Sequence, residues 1–514
     1  MEYTPERFVA NLKRIPRQQW WAFAGVWAAG LFAHGYMLVN KLPNYDDITC
    51  LWSKDGGADF GRWALRFFRE LDGSFSSPWM LGLLSLLYLA AAAMFLADVL
   101  RLESPLFCFL AGAVLAVFPT VVSAFTYMFT SDAYMFSVLA AIMGAWFAIR
   151  GGWWRLAAVG CIVFSLGLYQ GFFGWTAALM IYSLLARSLA DDADAKRILT
   201  AGLWHVGVLA AGLLAYFGVT WLILRIKGLR MVSYQNLDQM GRLDLRALPG
   251  QVLDAFRFFF GIAHSPSEGI CTLPSLRLLL AACQWLGILL LAADILRQLR
   301  RGRWLAAALA SLLAMLMPIG INIIHLMNAG NVYTLMVYPM CMIPLVFLAR
   351  GEAWCARLRQ AGPARRHLHA LGRWACAGLA VLLIGRYAIQ ANEAYLCMQV
   401  NHTRRLSYWT GVLTRIRSLP EYDLWCPVVF LHGADADATL PDTWDDPQFE
   451  EIAGVLMPMH VYSDETFLSL YLGFWTEYPD PAAYENLPEV RQMPHYPDDG
   501  SVRMMEDRTV VVKF

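Results

Sequence analysis

Residues 20–39 read WWAFAGVWAAGLFAHGYMLV, and shortly after them comes Asn44-Tyr45-Asp46-Asp47-Ile48. An uncharged run of this length crosses the roughly 30 Å hydrocarbon core of a bilayer as a helix. The chain therefore leaves the membrane at a polar loop that carries two adjacent carboxylates. The composition extends this reading to the whole chain. Of 514 residues, 58% are hydrophobic and 16% charged, against roughly 25% charged in a soluble protein. Mean hydropathy is +0.45. These values exclude an ordinary soluble domain, and a net charge of +1 gives no basis for nucleic-acid binding. No small-residue cleavage site follows the first apolar run, so it reads as a retained helix and not a signal peptide.

Runs of membrane-crossing length recur at about 19–40, 79–100, 105–123, 131–149, 154–169, 171–189, 201–225, 275–297, 304–325, 331–349 and 374–392. The expected fold is an α-helical polytopic membrane protein with about eleven transmembrane helices. One set of short loops is basic: Lys13, Arg14 and Arg17, then Arg150 and Arg155, Lys196 and Arg197, Arg297 to Arg303, and Arg350 to Arg373. The opposite short loops, near 124–130, 170 and 326–330, have no Lys or Arg. By the positive-inside rule the amino terminus is cytoplasmic and the carboxyl-terminal tail lies outside.

Two domains are expected. Residues 1–392 form the transmembrane domain, with outer loops at about 41–78 and 226–274. Residues 393–514 form a small outer α/β domain, with buried strands at Val428-Val429-Phe430-Leu431 and Thr509-Val510-Val511-Val512 and an amphipathic helix from Tyr408 to Ile416. In the first loop, Phe60, Trp63, Ala64, Phe67, Phe68 and Leu71 repeat at helical spacing, as in a helix lying in the membrane surface. Val252, Phe256, Phe259 and Phe260 point to another surface helix.

Ionisable groups inside a membrane are costly and mark function by default. Here the conspicuous polar residues sit at outer span ends: His34, Asp132, Tyr169, Gln170, Arg225, His325 and Asn328. The midplane is nearly bare. Asp98 and Asp294 lie toward the inner ends, where Arg101 and Arg297 are expected to pair with them. A proton-coupled transporter would place such groups near the centre, on broken helices. An enzyme at the outer surface would crowd them at the rim.

The order of short motifs resembles the bacterial serotype-converting glucosyltransferases that modify O-antigen. The resemblance rests on Asn44-Tyr45-Asp46-Asp47, Gly61-Arg62-Trp63, Phe118-Pro119, Ser131-Asp132-Ala133-Tyr134, Leu168-Tyr169-Gln170, Met493-Pro494-His495-Tyr496-Pro497 and Val510-Val511-Val512-Lys513. It implies the GT-C class of polytopic enzymes, which use polyprenyl-phosphate sugars as donors. It also implies a bacterial inner-membrane location, a periplasmic active face and a periplasmic tail domain. Where family members often carry an Arg, the stretch Asn331-Val332-Tyr333-Thr334 has none.

On this reading the donor is a sugar on undecaprenyl phosphate, which the resemblance implies is glucose, and the acceptor is a cell-surface glycan. An acceptor hydroxyl must lose its proton as it attacks the anomeric carbon, and a carboxylate within hydrogen-bond reach serves as general base. Asp46 and Asp47 are the candidates, one as base and the other orienting it. The leaving phosphate needs fixed cations: Arg225 by its depth, with Lys227 and Arg62 as alternates, because the planar fork of Arg grips two phosphate oxygens. Asp132, Tyr169, Gln170, His325 and Asn328 are expected to line the sugar and acceptor site. No metal or other cofactor is required. Asp435-Ala436-Asp437 looks like a metal-holding DxD but reads as a solvated loop. Cys397 and Cys426 both fall in the tail, where a bridge is chemically open to them. The alternative reading is a glycolipid transporter or flippase.

Overall fold

A computed structural model of the chain describes residues 13–52, 57–232, 246–261, 270–327, 332–360, 366–431, 452–455 and 461–514. The fold is mainly helical. Among the described residues, seven helices are long and apolar enough to cross a membrane, or up to eight if one bent pair is counted as a span. The seven are Arg17–Val39, Pro78–Leu100, Met128–Arg150 (whose first turn is a tighter helical turn), Ala195–Lys227, Pro274–Arg300, Trp304–Ile321 and Arg366–Arg417. The bent pair is Pro105–Val117 with Pro119–Thr126, which meet at 42°. The break falls at Phe118-Pro119. Proline disfavours helical backbone at the residue before it, and Phe118 is extended (φ −62°, ψ 139°).

The expected count of eleven is not reached by this measure, which takes only apolar helices of 18 residues or more among the described residues. Trp154–Leu168 and Phe173–Ser188 are helices of 15 and 16 residues. The run at 331–349 opens as two tight turns, Thr334–Met336 and Tyr338–Cys341, before the helix Met342–Gln360, whose last turn is basic. Burial of apolar surface against neighbours, and not length alone, holds these shorter segments: Trp175, Tyr182 and Phe172 are fully buried. Small residues let the helices approach closely. Gly25 and Gly112 face the Phe109 and Ala22 carbonyls, leaving no room for side chains between the first helix and Pro105–Val117.

The helix that contains the last apolar run continues past 392. Arg366–Arg417 is one helix of 52 residues, roughly 80 Å long, so the expected domain boundary falls inside it. It carries the chain from the bundle into a carboxyl-terminal sheet of order β1-β3-β2, where β1 is Val428–Leu431, β2 Val502–Met504 and β3 Val510–Lys513. Strands β1 and β3 run parallel, with Val428 opposite Val510, and β2 pairs antiparallel to β3, with Val502 opposite Val512. Trp409, Val412 and Ile416 of the long helix pack on the sheet with Phe467, Phe430 and Phe514. Lys513, the last residue of β3, has a structural use: its Nζ donates to the Val490, Arg491 and Met493 carbonyls at 3.1, 3.0 and 2.8 Å.

The two side-chain pairings expected for Asp98 and Asp294 are replaced by others. Asp98 accepts from Trp146 Nε1 at 2.6 Å. Asp294 is buried between Arg350 and Arg357, while Arg297 pairs with Asp191 at 2.5 Å. In each case a residue distant in sequence lies nearer than the neighbour on the same helix. Cys397 and Cys426 are both buried, and Asn401 Nδ2 donates to the Cys397 sulfur at 3.6 Å. His34 is also a structural residue. Its Nε2 donates to the Ala116 carbonyl at 2.9 Å, which leaves Nδ1 of the neutral ring to accept from the Tyr395 hydroxyl at 2.8 Å.

Candidate active site

The carboxylate pair lies on a short helix, Tyr45–Thr49, that is locked at both ends. Asn44 caps it, with Oδ1 accepting from the Asp47 amide at 2.8 Å. Successive residues on a helix point about 100° apart, so the three residues after Tyr45 meet three environments. Ile48 is fully buried in the core of the carboxyl-terminal region with Trp409 and Phe467. The Asp47 carboxylate is fully buried, and both Lys41 Nζ and the Ser76 hydroxyl donate to it. Asp46 is only partly buried.

Arg62 follows the tight turn Ala58–Phe60. Several contacts fix this loop to the bundle. Gln170 Nε2 donates to the Phe60 carbonyl and to the Tyr216 hydroxyl, both at 2.9 Å, and Tyr216 donates to the Gly61 carbonyl at 3.2 Å. The Ala64 amide donates to the Gly167 carbonyl at 2.9 Å. Gly61 has φ +73°, and a Cβ there would stand 2.5 Å from the Tyr216 hydroxyl and 2.9 Å from Gln170 Nε2. Only glycine accommodates both the left-handed backbone and that approach.

The loop delivers Arg62 into a group of tyrosines. Its Nη1 donates to the Tyr134 hydroxyl at 3.2 Å, it hydrogen-bonds Tyr333, and its guanidinium lies 4.9 Å from the centre of the Tyr169 ring. The Tyr169 hydroxyl donates to that of Tyr333 at 3.2 Å, and the Tyr134 and Tyr169 rings are 4.7 Å apart. Burial works against the charge on Arg62, but the oxygens of Tyr134, Tyr333 and Tyr169 outweigh it and hold the guanidinium above its ordinary pKa. Its Nε is buried with no hydrogen-bond partner among the described residues.

Tyr127 links this group to the carboxylates. It hydrogen-bonds Tyr45 and lies within electrostatic range of both Tyr333 and Asp46. Burial, with Tyr45, Tyr333 and Asp46 adding to it, holds the Tyr127 phenol well above its ordinary value, so it is neutral at pH 7. Tyr127 thus lies in electrostatic range both of Tyr333, which hydrogen-bonds Arg62, and of the partly exposed Asp46.

The other expected site residues fall as follows. Asp132 is buried at the start of Ser131–Arg150, and it and Asp72 both act electrostatically on Tyr88. Tyr169 is in the tyrosine group, and Gln170 anchors the loop behind it. Arg225 is exposed, over the exposed Trp221 ring at 5.2 Å, and Lys227 is exposed two residues on. His325 packs on Phe258, with ring centres 5.2 Å apart, and burial lowers its pKa while Asp254 opposes the shift. Asn328 lies outside the described residues, as does Asp435-Ala436-Asp437. Among the described residues, no three His, Cys, Asp or Glu side chains gather to hold a metal ion. Tyr127, Tyr134 and Tyr333 were not among the expected site residues. Their signal was the placement of tyrosines at span ends, which is equally the pattern of interfacial aromatics.

A helical membrane bundle with a buried cation and a partly exposed carboxylate flanking Tyr127 and Tyr333 defines a membrane protein with a polar site at its rim. The family model for Glucosyl transferase GtrII matches residues 35–344, which include both Asp46 and Arg62. The chain belongs to this family and is a glycosyltransferase. The transport reading is accordingly not favoured. No curated protein and no solved structure matches the chain.

Proposed function

We propose that the chain transfers glucose from undecaprenyl phosphate to a cell-surface glycan such as O-antigen, at the periplasmic face of a bacterial inner membrane. Asp46 is the general base: it takes the proton of an acceptor hydroxyl as that oxygen bonds to the anomeric carbon. The bond from that carbon to the phosphate oxygen breaks, and the electron pair leaves with the phosphate. Arg62 meets the charge that develops there, with the Tyr134, Tyr169 and Tyr333 hydroxyls around it. Asp47 holds the helix that presents Asp46.

The observation that carries this reading is the buried, uncommitted Nε of Arg62 within a cage of tyrosines that reaches Asp46 through Tyr127. A cation buried beside neutral hydroxyls, with one donor unused, is suited to an anionic oxygen. This supports Arg62 over Arg225 for the phosphate role, since the exposed position of Arg225 over Trp221 matches a side chain reaching for the membrane interface.

The test is to incubate purified protein with undecaprenyl-phosphate glucose and a lipid-linked O-antigen acceptor, with a nucleotide-glucose control. Transfer from the lipid donor alone supports the proposal. Transfer from the nucleotide donor alone overturns it.

A further inference from the structure

We infer that the end of the bundle opposite Asp46 and Arg62 holds a second site, which binds a phosphate anion. Four helices converge there on a cavity of about 300 Å³. Arg150 ends the helix Ser131–Arg150, Arg155 lies in the first turn of Trp154–Leu168, Arg187 lies in the last turn of Phe173–Ser188, and His205 faces them from Ala195–Lys227. Among the described residues, no carboxylate lines the cavity. Three guanidinium groups around a space without a counter-charge repel one another, and an anion removes that cost.

The buried donors give the second observation. His205 is 5% exposed, and its Nδ1 has no hydrogen-bond partner among the described residues. Arg155 Nε is buried in the same condition. Arg187 spends one nitrogen on the Ile149 carbonyl at 3.3 Å. A buried N–H left unsatisfied is costly, and a ligand presenting several acceptor oxygens satisfies Arg155 Nε–H and, in the tautomer that carries its proton on Nδ1, His205 as well. Phosphate is that ligand, and arginine is suited to hold it.

The setting points to the membrane interface. The Arg150 and Arg155 guanidinium groups lie over Trp146 and Trp204, at 3.6 and 3.9 Å from the ring centres. Trp153 and Trp204 are 66% and 50% exposed, as interfacial aromatics are. Basic pockets between membrane helices at such a level bind anionic headgroups. A phosphate here comes either from a phospholipid or from solution. The Ser131–Arg150 helix, roughly 30 Å long, separates the cavity from the transfer site, so the inference stands independently of the transfer chemistry.

The experiment uses the full-length protein purified in detergent. Phosphatidylglycerol, phosphatidylcholine and inorganic phosphate are titrated separately, with retained lipid counted by native mass spectrometry and melting temperature recorded. Wild type is expected to bind phosphatidylglycerol in preference to phosphatidylcholine. Arg155→Gln with Arg187→Gln should weaken that binding by about tenfold or more, as the loss of two interfacial charges implies. The corresponding double Lys variant should retain it, and His205→Leu should reduce it. A response to inorganic phosphate alone, lost in the Gln variant, assigns the site to a free anion. The inference is overturned if wild type shows neither lipid preference nor phosphate stabilisation. It is equally overturned if the Gln and Leu variants respond as wild type does. Should the Gln variant fail to fold, the Lys and Leu variants carry the test.

Discussion

Gly454 sits so close to Thr126 that a Cβ built on it would overlap the threonine hydroxyl. The turn that carries it, residues 452–455, belongs to the carboxyl-terminal region yet docks on the elements around the candidate site. The Ala453 carbonyl accepts from Ser123 at 3.0 Å and from Thr126 at 3.2 Å, and its amide donates to Thr334 Oγ1 at 3.4 Å. The Asn44 side chain, which caps the carboxylate helix, lies alongside. With Ile48 buried in the tail core, the carboxyl-terminal region clamps the Asp46 helix from two directions.

Gly454→Ala should therefore impair transfer without dismantling the bundle. The glycine has φ +86°, which costs an L-residue roughly 1–2 kcal/mol before the overlap with Thr126 is counted. Turnover should fall by about tenfold or more while the variant still inserts and purifies. Thr126→Ala with Gly454→Ala tests the cause, since removing the hydroxyl that the new Cβ would overlap should restore part of the activity.

Asp46 and Asp47 should respond differently to the same change. Asp46→Asn removes the proposed base, and turnover should fall by about two to four orders of magnitude with melting temperature nearly unchanged. Asp47→Asn removes a buried charge from Lys41 and Ser76, and should cost about 1–3 kcal/mol of stability. Parallel melting curves and rates on the two variants distinguish the roles. Equal melting temperatures and equal loss of rate would contradict the division made here.

For the donor phosphate, Arg62→Lys keeps the charge but loses the fork, and Arg62→Ala loses both. Turnover at saturating donor should follow the order Arg, Lys, Ala, with the Ala variant lower by about 10²–10³. Arg225→Ala should stay within a few-fold of wild type. The reverse ranking would return the phosphate role to Arg225.

Asp294 stands between Arg350 and Arg357 with a buried carboxylate. Asp294→Asn leaves the buried Arg350 without its counter-ion, and breaking a buried pair costs about 3–5 kcal/mol. Thermal denaturation should show a marked loss. Asp294→Leu combined with Arg350→Met should recover much of it, because no buried charge is then stranded at that pair.

His325 gives a pH-dependent term. Burial holds its folded-state pKa below the ordinary 6.5. As pH falls through 6.5, the unfolded chain takes the proton first, so stability declines with falling pH until the folded ring titrates too. Melting of wild type between pH 7.5 and 5 should therefore fall more steeply than that of His325→Gln. Identical slopes would show that the ring is not held neutral.

Much of this protein was legible in the sequence because apolar length and alternation are local properties. The charge-free run 20–39 and its successors announced membrane helices, and Val428–Leu431 and Val510–Val512 announced strands. The pair Asp46-Asp47 and the basic Arg62 were visible as chemistry. Which carboxylate is exposed was not visible, because that depends on Lys41 and Ser76 closing over Asp47 and on Ile48 entering a core built from residues 409–514. Depth along a span marked Arg225, but whether an arginine faces lipid or a cage of tyrosines depends on which helices lie beside it. Tyr134, Tyr169 and Tyr333 come from three distant segments, so no local pattern could bring them to Arg62. For the same reason Asp294 pairs with Arg350 rather than with Arg297 on its own helix. Local periodicity determined where the chain is helical and where it meets a membrane. Only the packing of segments far apart in sequence decided which polar groups are locked, which are exposed and which meet.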